Sequence, residues 1–170
     1  MIAMGEKSEL VIVALGSNLG DSRQTISDAM ARLQNFSDEP ILKSSLWRTS
    51  PVYCPPDSPE FVNAVVGLKT RAEETPESLL GKLRELEKEF GRTPKKIPNE
   101  PRPLDLDLIV FGNEIRNLPE LILPHPRAHL RKFVLQPLSE IAPDLVLPNQ
   151  AKTVSQLLAE LRTDEILTRI

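Results

Sequence analysis

The apolar positions of the chain switch between two periods, and the switches mark its elements. Leu10-Val11-Ile12-Val13-Ala14-Leu15 is a continuous apolar run, which predicts a central strand buried on both faces. From Ser22 to about Leu33 the residues Ile26, Ala29, Met30 and Leu33 recur at helical spacing, with Asp21 or Ser22 placed to cap the helix they predict. Ile41 to Thr49 and Phe61 to Thr70 predict two further strands. Thr75-Pro76-Glu77-Ser78 has the form of a helix start, and Leu79, Leu80, Leu83, Leu86 and Phe90 line one side until Gly91 ends the helix. Between Leu104 and Gly112 the period is two: Leu104, Leu106, Leu108 and Val110 point one way, and Asp105, Asp107, Ile109 and Phe111 the other. Gly112-Asn113 makes a turn, Phe133 to Pro143 reads as a short helix broken by prolines, and Val154 to Leu161 as an amphipathic helix. The order β-α-β-β-α-β with helices appended predicts an α+β fold, a ferredoxin-like antiparallel sheet with helices packed on its faces.

Composition narrows the class. The 170 residues suit one domain spanning 1–170, with residues 1–8 expected as a flexible lead-in. Sixteen prolines sit mostly between the periodic segments, and they concentrate in Ser50–Pro59, a stretch that suits a binding loop or a mobile lid. Cys54 is the only cysteine, so no intrachain disulfide can form and a reducing compartment fits. No apolar run approaches the roughly 18 residues of a membrane span, so a cytoplasmic protein without a membrane partner is expected. A net charge of −3 argues against a broad nucleic-acid footprint while leaving room for a local cationic pocket. An RNA-binding module on this fold would want exposed aromatics and a basic sheet face, and five Phe and one Tyr in an acidic chain give it little support.

The chemistry concentrates in Arg102-Pro103-Leu104-Asp105-Leu106-Asp107. Carboxylates at i and i+2 of a strand stand roughly 6–7 Å apart and repel by about 2–3 kcal/mol at an effective dielectric near 20. Such a pair is either a solvated edge-strand face or a pair of hard oxygen ligands for Mg²⁺, which completes its octahedron with water and phosphate oxygens. The neighbours favour the metal. Arg102 precedes the pair, and His125, Arg127, His129, Arg131 and Lys132 follow in one cluster. Guanidinium forks and imidazoles hold polyphosphate oxygens, so aspartates and cations together form a phosphoryl-transfer constellation. Two other stretches stay open. Gly16-Ser17-Asn18-Leu19-Gly20-Asp21 could cradle a phosphate or make a tight turn, and Arg92 to Pro101 could close over polyphosphate or be solvated surface.

The run Pro-Arg-x-Leu-Asp-Leu-Asp-Leu-Ile, then Leu-Pro-His-Pro-Arg, then Phe-Val-Leu-x-Pro-Leu-x-Glu-Ile-Ala-Pro closely resembles the 6-hydroxymethyl-7,8-dihydropterin pyrophosphokinase family, from Val11 to about Asn149. The resemblance implies transfer of the pyrophosphoryl group of ATP to the pterin hydroxymethyl oxygen with release of AMP, in folate synthesis. It implies a ferredoxin-like fold, two Mg²⁺ ions, ATP as co-substrate and a monomer. By position, Asp105 and Asp107 are similar to the family's metal pair, and with Arg92 and Arg102 they make up the catalytic set. Arg92, Arg102, His125 and Arg131 match the nucleotide contacts, with the Leu108 backbone against adenine. Thr49, Ser50, Val52, Asn63 and the stacking aromatics Phe61 and Phe133 match the pterin pocket. Asn99, Pro94 and Pro126 stand where the family often has a tryptophan, a second loop arginine and a tyrosine, and Lys95 or Lys96 is the candidate to replace the missing cation. The rival reading is another Mg²⁺-dependent nucleotide or phosphoryl transferase on the same fold.

Overall fold

A computed structural model describes residues 10–50, 59–92 and 101–170 of the chain. The expectations for residues 1–8, for Val52 and Cys54, and for Pro94, Lys95, Lys96 and Asn99 lie outside the described residues. A sheet carries the architecture. Strands β1 (Leu10–Ser17), β3 (Trp47–Thr49), β4 (Phe61–Lys69), β5 (Asp105–Phe111) and β8 (Leu167–Arg169) run in the order β5-β1-β4-β3-β8, every pair antiparallel, and β2 (Leu42–Lys43) also pairs with β4. Helices α1 (Ser22–Leu33) and α2 (Pro76–Glu89) fall between strands as the β-α-β-β-α-β order requires, and α3 (Lys132–Ile141) and α4 (Val154–Glu160) follow.

The two faces of the sheet are treated differently. On one, Val13, Leu15, Ala64, Val66, Leu106 and Leu108 pack against Ile26, Ala29 and Leu33 of α1 and Leu79, Leu83 and Leu86 of α2. On the other, Ile12, Val65, Ile109 and Val110 pack against Val134, Leu135 and Leu138 of α3 and Val154 of α4. That second cover stops short. Toward the other end of the same face, Gly16 pairs with Asn63 on one side and Asp105 on the other, and these residues line an open cleft.

The local grammar of several elements follows the sequence. Asp21 accepts from the Gln24 amide at 3.3 Å to start α1, and Thr75 and Ser78 form a reciprocal capping box at α2. Gly91, at φ +96°, takes the left-handed backbone that ends α2.

Four expectations are corrected. Alternation on β5 fails after Leu108: Val13 pairs with Leu108 and Ile12 with Val110, so Ile109 is a bulge residue. The extra residue puts Val110 on the Asp107 face and returns Phe111 to the leucine face. The strand expected over Ile41–Thr49 is two short strands, because the Ser44 hydroxyl accepts the Val65 amide at 2.9 Å where a backbone carbonyl would stand. Pro137 lies inside α3 without breaking it; the packed face of Val134, Leu135 and Leu138 outweighs one missing amide bond. Strand β8 and a hairpin of β6 (Arg116–Leu118) and β7 (Leu121–Leu123) were not expected from the pattern at all.

Candidate active site

The carboxylates Asp105 and Asp107 lie on one face of edge strand β5, opposite Gly16 and Ala14 of β1. Small residues at those two positions leave the floor open above the pair. Asp105 is pinned from both sides: its Oδ1 accepts from Arg92 Nη1 at 2.5 Å, and its Oδ2 lies 3.4 Å from Arg102 Nη1. Among the described residues Asp107 has no such pair. Burial, then the charge of Asp105, pushes its carboxyl up to about 7.

Around the pair the cleft measures about 550 Å³. Thr49 and Ser50 at the end of β3, Phe61 and Asn63 of β4, Arg102, Asp105, Asp107, Arg131 and Phe133 all line it, so nine of the residues singled out in the sequence converge there. The Asn63 side chain donates to the Leu15 carbonyl at 3.4 Å, which fixes its plane. A Cβ on Gly16 would meet Asn63 Nδ2 at 3.0 Å, so the strand needs glycine there for the amide to sit where it does. Thr49 is buried, and its Oγ1 has no hydrogen-bond partner among the described residues. The Arg102 guanidinium lies 5.4 Å from the Phe61 ring centre and that of Arg131 5.3 Å from Phe133, so each aromatic carries a cation over its face.

A second cavity of about 240 Å³ opens on the far side of Asp107. Leu80, Leu108, Leu121 and Ile122 give it apolar walls, and Arg84, Glu120 and His125 its polar ones. His125 Nδ1 accepts from the Arg127 amide at 3.2 Å, which leaves the ring's proton on Nε2. Burial, then the nearby charges of Arg131 and Arg127, lowers its pKa to about 4, so the imidazole is neutral near pH 7 and acts as an N–H donor. Asp107 lines both cavities and is their common wall.

Arg92 lines neither cavity. It sits behind the carboxylates, bonded to Asp105, to the Leu104 carbonyl at 3.3 Å and to Glu87 at 3.3 Å. Although burial opposes its charge, Asp105 and Glu87 hold its pKa above the ordinary value. Glu87 was missed in the sequence. It is a buried carboxylate whose Oε2 accepts from the Leu106 amide at 2.7 Å and from Arg84 at 2.9 Å as well as from Arg92. The signal was present: Glu87 falls four residues after Leu83, on the stripe that should be apolar. The glycine loop after β1 takes its structural reading. Asn18 is buried, accepts the Arg102 amide on Oδ1 at 2.9 Å and donates its own amide to the Arg102 carbonyl at 3.1 Å, so the loop positions Arg102.

Known proteins share the sequence and the fold of this chain. Residues 12–143 match the family described as 7,8-dihydro-6-hydroxymethylpterin-pyrophosphokinase. The chain is 40% identical over 149 residues to the 2-amino-4-hydroxy-6-hydroxymethyldihydropteridine pyrophosphokinase of Haemophilus influenzae, covering 88% of each protein. It is 42% identical to the folic acid synthesis protein fol1 of Pneumocystis carinii, over 83% of this chain and 18% of that much longer protein. The fold is similar to that of the Plasmodium falciparum HPPK-DHPS crystal structure with pteroate, at a TM-score of 0.73 and 13% identity, over 91% of this chain and 44% of that one.

Proposed function

The chain belongs to the 7,8-dihydro-6-hydroxymethylpterin-pyrophosphokinase family and transfers pyrophosphate from ATP to 6-hydroxymethyl-7,8-dihydropterin in folate synthesis, and we propose that its two cavities divide the reaction into a pterin end and a nucleotide end. The observation that carries this division is Asp107, the wall common to both.

At the pterin end, Phe61 and Phe133 take the two faces of the ring, a contact worth on the order of 1–3 kcal/mol per face by analogy with base stacking. Asn63 and the Thr49–Ser50 segment meet the ring edge. The buried Thr49 hydroxyl, without a partner among the described residues, supports this reading, because an unsatisfied buried donor costs about 1–3 kcal/mol that a heterocycle edge would offset.

At the nucleotide end, the outer edge of β5 is the recognition element. Leu106 spends its amide on Glu87 and its carbonyl on Arg84, both outside the sheet. Strand parity turns the Leu108 N–H and C=O to that same edge, beside the smaller cavity, where a donor and acceptor side by side suit adenine. His125 Nε2–H, Arg102 and Arg131 then stand between the two ends as donors to the triphosphate, while Arg92, expected as a nucleotide contact, instead holds Asp105 in place from behind.

The donor set fits Mg²⁺. Among the described residues no group of three or more His, Cys, Asp or Glu is gathered as a cage, and two carboxylates on one strand face suit an ion that keeps water and phosphate oxygens in its shell. Asp105 and Asp107 would hold two such ions. When bound, Mg²⁺ neutralises phosphate charge and draws electron density from the β-phosphorus. The chain's own contribution is to hold the pterin hydroxymethyl group and the triphosphate in line and to exclude water, which supplies most of the acceleration in phosphoryl transfer.

A monomer, with ATP and the pterin as its partners, belongs to this reading. No helix among the described residues is long and apolar enough to cross a membrane. A cytoplasmic location and the absence of a nucleic-acid partner belong to the same reading. Incubation with ATP, Mg²⁺ and 6-hydroxymethyl-7,8-dihydropterin, with pterin-free and EDTA controls, tests it: AMP forms only in the complete mixture. ADP as the product would mean transfer of a single phosphoryl group and would overturn the assignment.

A further inference from the structure

Helix α3 carries Phe133 in its first turn, yet it brings no cap of its own. Its N-cap position is Arg131, whose side chain offers no acceptor, and its first turn contains no acid. Helices α1, α2 and α4 begin on Asp21, Thr75 and Thr153, each accepting an amide of its own first turn. The acceptor for α3 arrives from 32 residues downstream, where Glu165 Oε1 takes the Phe133 N–H at 3.2 Å. Residue 165 reaches that point because β8 returns along β3, with Leu167 paired to Thr49.

The far end of the helix is fastened to the same strands. Glu140 accepts the Ser45 amide and Trp47 Nε1–H, each at 3.0 Å, and lies 3.6 Å from Arg169 of β8. The C-terminal segment, β3 and α3 thus form a closed frame around the pterin end of the cleft, and Glu165 lines that cleft beside Phe133 and Arg131.

We propose that Glu165 is a positioning residue for the pterin, a cap lent to α3 by the C-terminal segment that holds Phe133 at the spacing a two-ring sandwich requires; this rests on Phe133 stacking the pterin. A sandwich is sensitive to the distance between its rings. Without the cap, the first turn of α3 frays and Phe133 leaves that distance, while Val134, Leu135 and Leu138 keep the rest of the helix on the sheet. The effect therefore falls on pterin binding and spares both ATP binding and the fold.

The test compares Glu165→Ala, Glu165→Gln and Phe133→Ala in steady-state kinetics, varying the pterin and ATP separately. Glu165→Ala raises the pterin KM about five- to twentyfold, with the ATP KM and kcat within about threefold of the parent. Glu165→Gln stays within about threefold throughout, because its amide oxygen still accepts the bond. A Glu165→Ala pterin KM within about twofold of the parent, or a glutamine variant as impaired as the alanine one, overturns the proposal. A normal pterin KM in Phe133→Ala would instead reject the stacking role on which it rests. Amide exchange in the unaltered protein gives a check that needs no variant: the Phe133 N–H is protected, and exchange at the free rate would also overturn the cap.

Discussion

Gly16 shows how little room the floor of the larger cavity has to spare. An added methyl would stand 3.0 Å from Asn63 Nδ2 and push the amide off its bond to Leu15. Gly16→Ala therefore raises the pterin KM by about tenfold and leaves the ATP KM within about twofold; equal effects on both substrates would place Asn63 outside the pterin pocket. His125 gives a prediction in pH. Its folded pKa of about 4 lies below the ordinary 6.5, so between those values the unfolded chain binds the extra proton. Stability contributed by the neutral ring is complete above about 6.5 and is lost as the pH falls toward about 4. Urea midpoints at pH 7, 5.5 and 4.5 thus fall less steeply in His125→Gln than in the parent, and parallel curves would mean that the ring titrates as in water.

Among the elements, α2 and β5 are joined by Glu87, whose one oxygen serves the Leu106 amide, Arg84 and Arg92. Removing a buried acceptor that serves several donors costs about 3 kcal/mol or more, so Glu87→Leu lowers the unfolding free energy by that order. The single tryptophan, Trp47, reports it by fluorescence in urea. A loss under about 1 kcal/mol would show that water replaces the carboxylate without penalty. Elements with long periodic patterns were legible in the sequence: β1, α1 and α2 needed only their apolar stripes and caps. The bulge at Ile109 was not, because Ile109, Val110 and Phe111 are all apolar and the pattern cannot say which of them slips. The break at Ser44 was hidden because it depends on a side-chain hydroxyl meeting Val65 across the sheet. Strand β8 is three residues long and exists only through its pairing with β3, so nothing local announces it. The candidate site was legible wherever chemistry alone suggested it, in Asp105, Asp107 and the cations around them. Glu165 acts through a group that only the fold brings near, whereas Glu87 left one local sign, a carboxylate on the apolar stripe of α2.

At the scale of the molecule, one sheet face is sealed by α1 and α2, and the other is only partly covered by α3 and α4. The uncovered part holds the carboxylate pair and the larger cavity, and the smaller one opens at the outer edge of β5 with Asp107 between them. Chain-wide charge is −3, so attraction for a polyphosphate is local, from Arg102, Arg127 and Arg131 at the cleft. On the proposed division of the cleft, Asp107 acts between two substrates bound at separate ends. Asp107→Ala probes this by rapid quench with pterin and ATP–Mg²⁺ bound and by equilibrium dialysis of the pterin alone. The single-turnover rate of AMP formation is expected to fall by about a thousandfold or more while the pterin Kd stays within about threefold. A comparable loss in both would mean that the carboxylate merely holds the fold, and would contradict the account.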